Sequence, residues 1–259
     1  PVDDRGLNYA EGAFETLLCR DGNITCLSRH EARLSRALLA LKFEAPQLQA
    51  QQVFEEAGQC LLRVKHSGIA RLTVTRGSGP RGYAPSRSAT PRYILTASAH
   101  PDHKPAPWRC GIATIKWQDQ PQLAGLKLLA RTEQVLAAQE AAAQGWDDVL
   151  MLDDQERVIS SSRGNILLLK GKTILTPLLD RSGIAGTRRQ LLVGCVLPKL
   201  GYRVNVGPVT ISDVLTADAL MISNTAVGAV VVKSVNQHVY LGYENSFCPI
   251  KDELGEHIS

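Results

Sequence analysis

One lysine of this chain lies in surroundings that suit covalent chemistry. Lys127 is flanked by apolar residues in the stretch AGLKLL at 124–129, where a loop is predicted to enter a helix. Because desolvation disfavours an ammonium group, a lysine in such a stretch gives up its proton readily. A neutral amine is the form that Schiff-base chemistry requires. Lys127 is therefore a candidate nucleophile; a lysine that extends from a helix start into solvent is the alternative.

A glycine-flanked turn, GIAGTRR at 183–189, runs into a second predicted helix. The free N–H groups and the positive dipole end of a helix N-terminus favour a phosphate group. On another predicted helix, His30 and Arg33 share one face, and an arginine there can pair with phosphate oxygens through two N–H groups. These features suit a ligand that carries phosphate; an ordinary helix entry with glycines and a solvated helix face are the alternatives.

The common nucleotide-binding loops are absent from the chain. No G-x-x-x-x-G-K-[ST] loop occurs, and residues 77–82 match only a bare G-x-G-x-x-G pattern. A dinucleotide-binding fingerprint needs a helix directly after its glycines, and the following Tyr83-Ala84-Pro85 prevents one. The pattern at 77–82 is therefore not a nucleotide site.

The composition is that of an ordinary globular protein. The 259 residues include 29 Lys and Arg against 25 Asp and Glu, a net charge of +4, and the basic residues are scattered. Nucleic-acid binding would need a clustered basic patch, and a membrane span would need about 20 consecutive apolar residues. Since the sequence contains neither, we expect no nucleic-acid partner and no membrane association.

The chain start and the cysteines point to a cytoplasmic protein. The first residues lack the layout of a secretory signal. The cysteines are widely spread, without a C-x-x-C pair or a Cys/His cluster at zinc spacing. They are Cys19, Cys26, Cys60, Cys110, Cys195 and Cys248. We expect reduced, buried thiols, no metal site and a cytoplasmic location.

A proline-rich break in the chain predicts two domains of class α+β. Three prolines within 100–107 interrupt the succession of predicted helices and strands. We therefore expect a small N-terminal α+β domain over 1–99, a linker over 100–109 and a larger C-terminal domain over 110–259. The first domain is predicted to have strands over 14–19, 24–27, 69–75 and 93–96 and helices from an N-cap at Ser28 and over 47–65. The second is predicted to have strands over 111–117, 148–152, 166–169, 173–175, 219–222 and 229–235 and helices over 128–143 and 187–200.

Several segments, taken together and in order, are more specific than any one of them. They are DRGLNYAEGAFET at 4–16, HxxRL at 30–34, RGSGPRGY at 76–83, GLKxxxRxEQ at 125–134, GTRR at 186–189 and SNT at 223–225. In this order they resemble the fold-type IV pyridoxal-phosphate enzymes, which include branched-chain and D-amino-acid aminotransferases. The segments at 76–83 and 126–134 most resemble the aminodeoxychorismate lyases of this family, which release 4-aminobenzoate and pyruvate for folate synthesis.

The resemblance implies a fold, a cofactor and residue roles. The implied fold is D-amino-acid aminotransferase-like, with a small α/β sandwich and a larger, sheet-rich domain that binds pyridoxal 5′-phosphate, in a homodimer. Lys127 matches the lysine that binds the cofactor and afterwards shuttles protons. The other positions that match cofactor contacts, at the phosphate or beside the pyridine ring, are Arg33, Asn165, Gly186, Thr187, Arg188 and Thr225.

Three residues match the part of such a site that faces a small-molecule substrate. Arg81 and Tyr83 lie in a loop of the small domain. An arginine there suits a chorismate-like dianion, because it can pair with a carboxylate bidentately. Tyr9 is expected to line the same cavity.

One cofactor-binding position departs from the family pattern. Ser160 stands where the family carries a glutamate that ion-pairs with the protonated pyridine nitrogen. A hydroxyl offers only a neutral hydrogen bond, which leaves the ring a weaker electron sink. Transamination depends on a strong sink more than elimination of a leaving group does, so Ser160 favours a lyase.

Two alternatives to a lyase stay open. The first is a fold-type IV aminotransferase acting on D- or branched-chain amino acids. The second is a scaffold that lost its activity when it lost the glutamate. Ser160 and the loop at 76–83 argue against the aminotransferase, and the intact Lys127 argues against the scaffold.

Overall fold

The computed structural model describes residues 1–86, 89–100 and 106–256, in two compact units. The first unit contains Pro1–Asp102 together with Leu126–Arg131, and the second contains His103–Gly125 and Thr132–Ser259. The segment with Lys127 is thus part of the first unit, although it follows the start of the second in the sequence. Residues 101–105 of the predicted linker lie outside the described residues.

The first unit is an antiparallel sheet with two helices packed on one face. Its elements are α1 (Arg5–Tyr9), β1 (Gly12–Arg20), β2 (Asn23–Ile24), α2 (Leu27–Ala40), α3 (Pro46–Arg63), β3 (Gly68–Thr75) and β4 (Arg92–Ser98). Among its described residues the strands run in the order β2-β1-β3-β4. The helices α2 and α3 cover the core side of this sheet.

Alternate residues of β1 point into the core of this unit. Ala13, Leu17 and Cys19 are buried there among apolar residues of α2, α3 and β3, as expected for a strand with one face on helices. Glu15 occupies an inward position of the same row and is equally buried. A buried carboxylate requires a partner, and Arg33 and His30 of α2 are its partners.

The second unit is built on a mixed sheet, of nine strands in the described part of the chain. The strands are β5 (Trp108–Ile112), β6 (Asp148–Leu152), β7 (Val158–Ser161), β8 (Asn165–Lys170), β9 (Thr173–Pro177), β10 (Arg203–Gly207), β11 (Ala219–Asn224), β12 (Gly228–Val235) and β13 (His238–Val239). Their order is β10-β9-β8-β11-β12-β5-β6-β7, with β13 beside β12. The helices are α4 (Thr132–Ala143), α5 (Thr187–Leu191), α6 (Leu197–Lys199), α7 (Ile211–Thr216), α8 (Tyr243–Ser246) and α9 (Cys248–Glu256).

This sheet is apolar on both of its faces. Every residue of β6 is buried, with Leu150 and Leu152 in one hydrophobic cluster and Val149 and Met151 in another. The helix α4 packs on β6 within the second cluster. Strands covered on both sides are typically continuous apolar runs, and the predicted strands over 148–152, 166–169 and 219–222 correspond to β6, β8 and β11. The predicted two-domain α+β fold class is confirmed.

The predicted helix over 128–143 is wrong at its start, because the helix begins only at Thr132. The preceding segment runs along β1 instead. The Phe14 N–H donates to the Lys127 carbonyl at 3.0 Å, and the Leu129 N–H donates to a carbonyl of β1 at 3.0 Å. Since these backbone groups bond across to a strand, they are not available for a helix.

Other predicted bounds also need correction. The strand over 24–27 is much shorter, because Cys26 adopts a left-handed conformation and α2 starts at the next residue. Ser28 therefore lies inside the helix and is not its N-cap. The strand over 111–117 ends at Ile112. The strands β7 and β10 were not predicted, since their short apolar patterns are interrupted by polar residues.

The six cysteines, all within the described part of the chain, are thiols and not disulfides, but they differ in burial. Cys19 and Cys110 are buried, whereas Cys60 and Cys248 are exposed, so the prediction of buried thiols is wrong for the latter two. Among the helices of the described residues, none combines the length and the apolar character needed to cross a membrane.

Candidate active site

Lys127 lies beside an aromatic ring of β1. Its Nζ is 4.2 Å from the centroid of the Phe14 ring. Burial lowers the pKa of Lys127 to about 7, the positive charge of Arg33 acts in the same direction, and the negative charge of Glu15 opposes both. A substantial fraction of the amine is therefore neutral near pH 7, the form that reacts with a carbonyl group.

A buried carboxylate, Glu15, holds Arg33 and His30. Its Oε1 accepts from Arg33 Nε at 2.8 Å, and its Oε2 accepts from Arg33 Nη2 at 2.5 Å and lies 2.7 Å from His30 Nδ1. Burial by itself would raise the pKa of Glu15, but Arg33 and His30 outweigh it and hold the pKa at about 2. The bidentate pairing fixes the plane of the Arg33 guanidinium.

Glu15 is not among the site residues predicted from the sequence. A signal was present, because position 15 falls on the inward row of an alternating strand, between Ala13 and Leu17. A charged side chain is placed there only with a partner. Arg33 and His30 on the helix that follows β1 were the available partners.

The three residues predicted to face the substrate lie near one another in the first unit. The Tyr9 and Tyr83 rings meet edge-on with centroids 5.6 Å apart, and Tyr9 Oη accepts the N–H of Gly82 at 2.9 Å. Arg81 is exposed and Tyr83 is 89% exposed. The loop thus presents both of its predicted binding side chains outward, where a ligand can reach them.

In the second unit, Asn165 ties the start of β8 to the glycine-flanked turn. Its Nδ2 donates to the Ile184 carbonyl at 2.8 Å, and its Oδ1 accepts from the Gly186 N–H at 3.1 Å. A Cβ at Gly186 would lie 2.1 Å from Asn165 Oδ1, so the contact requires glycine. The turn enters α5 at Thr187, as the sequence predicts.

Buried polar groups surround the N-terminus of α5. The Oγ1 atoms of Thr187 and Thr225 are 3.4 Å apart, and both residues and Arg188 are buried. On β11, which packs against α5, Ser223 Oγ is buried and has no hydrogen-bond partner among the described residues. Because an unsatisfied buried hydroxyl is costly, these groups suit an anionic ligand such as phosphate.

Ser160 is buried within β7, and its hydroxyl hydrogen is already engaged. Ser160 Oγ donates to the Ser161 carbonyl at 2.8 Å, and Met151 on β6 is its cross-strand neighbour. Within the described part of the chain, no carboxylate is hydrogen-bonded to Ser160. The glutamate missing from this position is therefore not replaced by another acidic side chain bonded to Ser160.

The predicted site residues belong to two groups. Those of the first unit are Tyr9, Arg33, Arg81, Tyr83 and Lys127, and those of the second are Ser160, Asn165, Gly186, Thr187, Arg188 and Thr225. The peptide chain passes from the second unit to the first at Gly125. Gly125 exchanges backbone hydrogen bonds with Gly183 and Ala185, at 2.9 and 3.0 Å, in the turn before α5.

Comparison with known proteins finds similarity over nearly the whole chain. The family model for amino-transferase class IV matches residues 12–235. Aminodeoxychorismate lyase of Vibrio harveyi is 30% identical over 241 residues, 91% of this chain and 87% of that protein. The crystal structure of 4-amino-4-deoxychorismate lyase from Pseudomonas aeruginosa matches with a TM-score of 0.87 and 35% identity, over 99% of this chain and 93% of that one. A putative branched-chain-amino-acid aminotransferase of Methanocaldococcus jannaschii is 28% identical over 243 residues, 92% of this chain and 83% of that protein.

We expect an amine-reactive acylating reagent to label Lys127 of the ligand-free protein. The labelling rate should rise with pH and reach half of its maximum near pH 7, because the pKa of the Lys127 ammonium is about 7. Lys116 is the internal control, because its hydrogen bond to Glu156 raises its pKa above the ordinary 10.5. Brief labelling from about pH 5 to about pH 10, followed by peptide mass spectrometry, measures both. A Lys127 profile that follows that of Lys116 would contradict the assignment.

Replacing Glu15 should destabilise the fold by leaving Arg33 buried without its carboxylate. We expect Glu15→Gln to lower the free energy of unfolding by about 3–5 kcal/mol near neutral pH. The pKa of Glu15 falls from 4.5 to about 2 on folding, so its stabilisation is complete above pH 4.5 and is lost as the pH drops toward 2. Denaturant unfolding at several pH values should show the two proteins converging in acid, while exposed Glu44→Gln remains like the parent throughout.

Proposed function

Because the chain belongs to the class IV aminotransferase family, whose cofactor is pyridoxal 5′-phosphate, we propose that it is a lyase that converts 4-amino-4-deoxychorismate to 4-aminobenzoate and pyruvate. Two proteins named as lyases of this substrate match 91% and 99% of the chain. The observation that carries the proposal is the position of Lys127 Nζ, 4.2 Å from the centroid of the Phe14 ring, where burial lowers the pKa of the amine to about 7.

The residues of both units fit the functional parts of the cofactor. The N-terminus of α5 and the unpartnered hydroxyl of Ser223 suit its phosphate, and Lys127 suits its aldehyde. The residues proposed to hold it are Arg33, Lys127, Ser160, Asn165, Gly186, Thr187, Arg188 and Thr225. When bound, the cofactor supplies an electron sink for the carbon that carries the substrate amine.

Lys127 is the proposed catalytic base. Its neutral amine takes the proton from the ring carbon that bears the substrate amine. The electron pair left behind moves into the ring, and the C–O bond to the enolpyruvyl group breaks. The ring becomes aromatic, which yields 4-aminobenzoate. Enolpyruvate leaves with the electron pair of that bond and takes up a proton to give pyruvate.

The loop with Arg81 and Tyr83 is proposed to bind the substrate. The substrate carries two carboxylates, and the guanidinium of Arg81 makes no hydrogen bond or ion pair with the residues that the structure describes. An exposed guanidinium without an internal partner is available for bidentate pairing. Tyr83 and Tyr9 add an aromatic surface beside it.

A fold-type IV aminotransferase acting on D- or branched-chain amino acids is the second candidate. The similarity to the M. jannaschii protein favours it, while Ser160 counts against it because a neutral hydroxyl does not hold the pyridine nitrogen in its protonated form. For either reaction we propose a cytoplasmic homodimer. Light scattering of the purified protein tests the oligomeric state.

The lyase should depend entirely on Lys127. With enzymatically generated aminodeoxychorismate and added cofactor, the parent protein should form 4-aminobenzoate, and Lys127→Ala should lose at least about 1000-fold in rate, because base and covalent anchor disappear together. The control is Lys170→Ala, which removes an exposed lysine. Chromatographic detection of 4-aminobenzoate measures the rate for the parent and for both variants. Full activity of Lys127→Ala, or no product from folded, cofactor-loaded parent, would refute the lyase.

Restoring a carboxylate at position 160 should shift the chemistry toward transamination. We expect Ser160→Glu to convert the bound cofactor to its amine form with D-alanine or branched-chain donors at least about tenfold faster than the parent, because the carboxylate strengthens the electron sink. Visible absorbance follows the conversion. Ser160→Ala is the matched control and should not gain it. A cofactor-loaded Ser160→Glu protein with no faster conversion would show that this position does not govern the reaction.

A further inference from the structure

We propose that Arg5 is a positioning residue whose buried guanidinium holds the loop 77–83 in the conformation that presents Arg81 and Tyr83. Arg81 and Tyr83 are the exposed side chains of this loop that we propose to bind the substrate. The effect of Arg5 on substrate binding therefore rests on the proposed function. The ordering of the loop by Arg5 does not depend on that function.

Arg5 is only 1% exposed, and its side chain bonds to three carbonyls of the loop. Its Nη1 donates to Gly82 at 2.8 Å and to Pro80 at 3.4 Å, and its Nη2 donates to Tyr83 at 2.6 Å. These carbonyls flank Arg81 on both sides. One side chain therefore satisfies backbone acceptors that a free loop would offer to water.

The backbone around Arg5 reinforces this arrangement. The Arg5 N–H donates to the Gly77 carbonyl at 2.8 Å, and the Gly79 N–H donates to the Asp3 carbonyl at 3.2 Å. Gly77 has φ +83°, a conformation that glycine adopts without strain. The start of the loop is thus paired with the N-terminal segment, and Arg5 fixes its far end.

A carboxylate anchors the Arg5 guanidinium from the other side. Glu11 Oε2 accepts from Arg5 Nε at 2.5 Å, while its Oε1 accepts from Arg76 Nε at 2.8 Å. Arg76 in turn bonds to the carbonyls of Leu41 and Lys42 at the end of α2. The loop is therefore connected through charged hydrogen bonds to a helix of the same unit.

This geometry requires arginine. The guanidinium offers five N–H donors in a planar fork, of which Arg5 directs some to Glu11 and others to the loop, whereas lysine has a single nitrogen. The fixed backbone contrasts with the exposed side chains of Arg81 and Tyr83. A binding loop ordered in advance loses less entropy when a ligand binds, so the bonds of Arg5 should raise affinity.

The test compares Arg5→Lys with Arg20→Lys, the same change at an exposed position of the same unit. In the cofactor-loaded protein we expect Arg5→Lys to speed tryptic cleavage after Arg81 by about tenfold, because the loop opens more often. The KM for aminodeoxychorismate should rise about tenfold with kcat changed less than about twofold. Arg20→Lys should behave like the parent in both measurements.

Unchanged cleavage after Arg81 in Arg5→Lys would overturn the proposal. Faster cleavage with an unchanged KM would overturn the link between loop order and substrate binding. If Arg5→Lys does not fold, Tyr9→Phe removes only the bond to the Gly82 N–H and should still speed cleavage by about threefold. The cleavage measurement needs no substrate, so it remains decisive even if the parent forms no 4-aminobenzoate.

Discussion

The amine of Lys127 is useful only when it is uncharged, and an ordinary lysine in water stays protonated until about pH 10. The structure lowers the pKa of this amine to about 7 chiefly by burying it, and the positive charge of the Arg33 guanidinium lowers the pKa further. Arg33 is itself buried and therefore needs a negative partner, which is Glu15. Glu15 opposes the effect of Arg33 on Lys127, so the pKa of the lysine results from its burial together with the opposed charges of these two residues.

The first unit uses one arrangement twice. Glu15 lies between Arg33 and His30, and Glu11 lies between Arg5 and Arg76. In each case a carboxylate at or next to β1 pairs with a buried arginine and fixes the direction of its guanidinium. Buried charge pairs contribute little net stability compared with apolar packing, so their value here lies in fixing directions. A charge-assisted bidentate contact defines the plane of a guanidinium, which apolar packing does not.

The parts of this molecule that follow from local pattern were predictable, and those that follow from distant partners were not. The strands β6, β8 and β11 and the glycine turn before α5 are visible in short stretches of sequence. The helix start at Thr132 was missed because the residues before it favour a helix locally, while tertiary pairing with β1 claims their backbone. The role of Arg5 depends on carbonyls of Gly82 and Tyr83, far along the chain, and no local pattern encodes that contact.

In the function proposed for this chain, the single side chain of Ser160 favours elimination over transamination while the fold and the lysine stay the same. Its hydroxyl has one hydrogen, and that hydrogen goes to the Ser161 carbonyl. Toward a ligand, Ser160 can then offer only its lone pairs, as an acceptor without charge. A glutamate would offer an acceptor with a full negative charge, which stabilises a protonated ring nitrogen far more strongly. A reaction whose product gains an aromatic ring depends less on that charge than an amino transfer does. This difference in charge is the physical reason for proposing elimination rather than transamination.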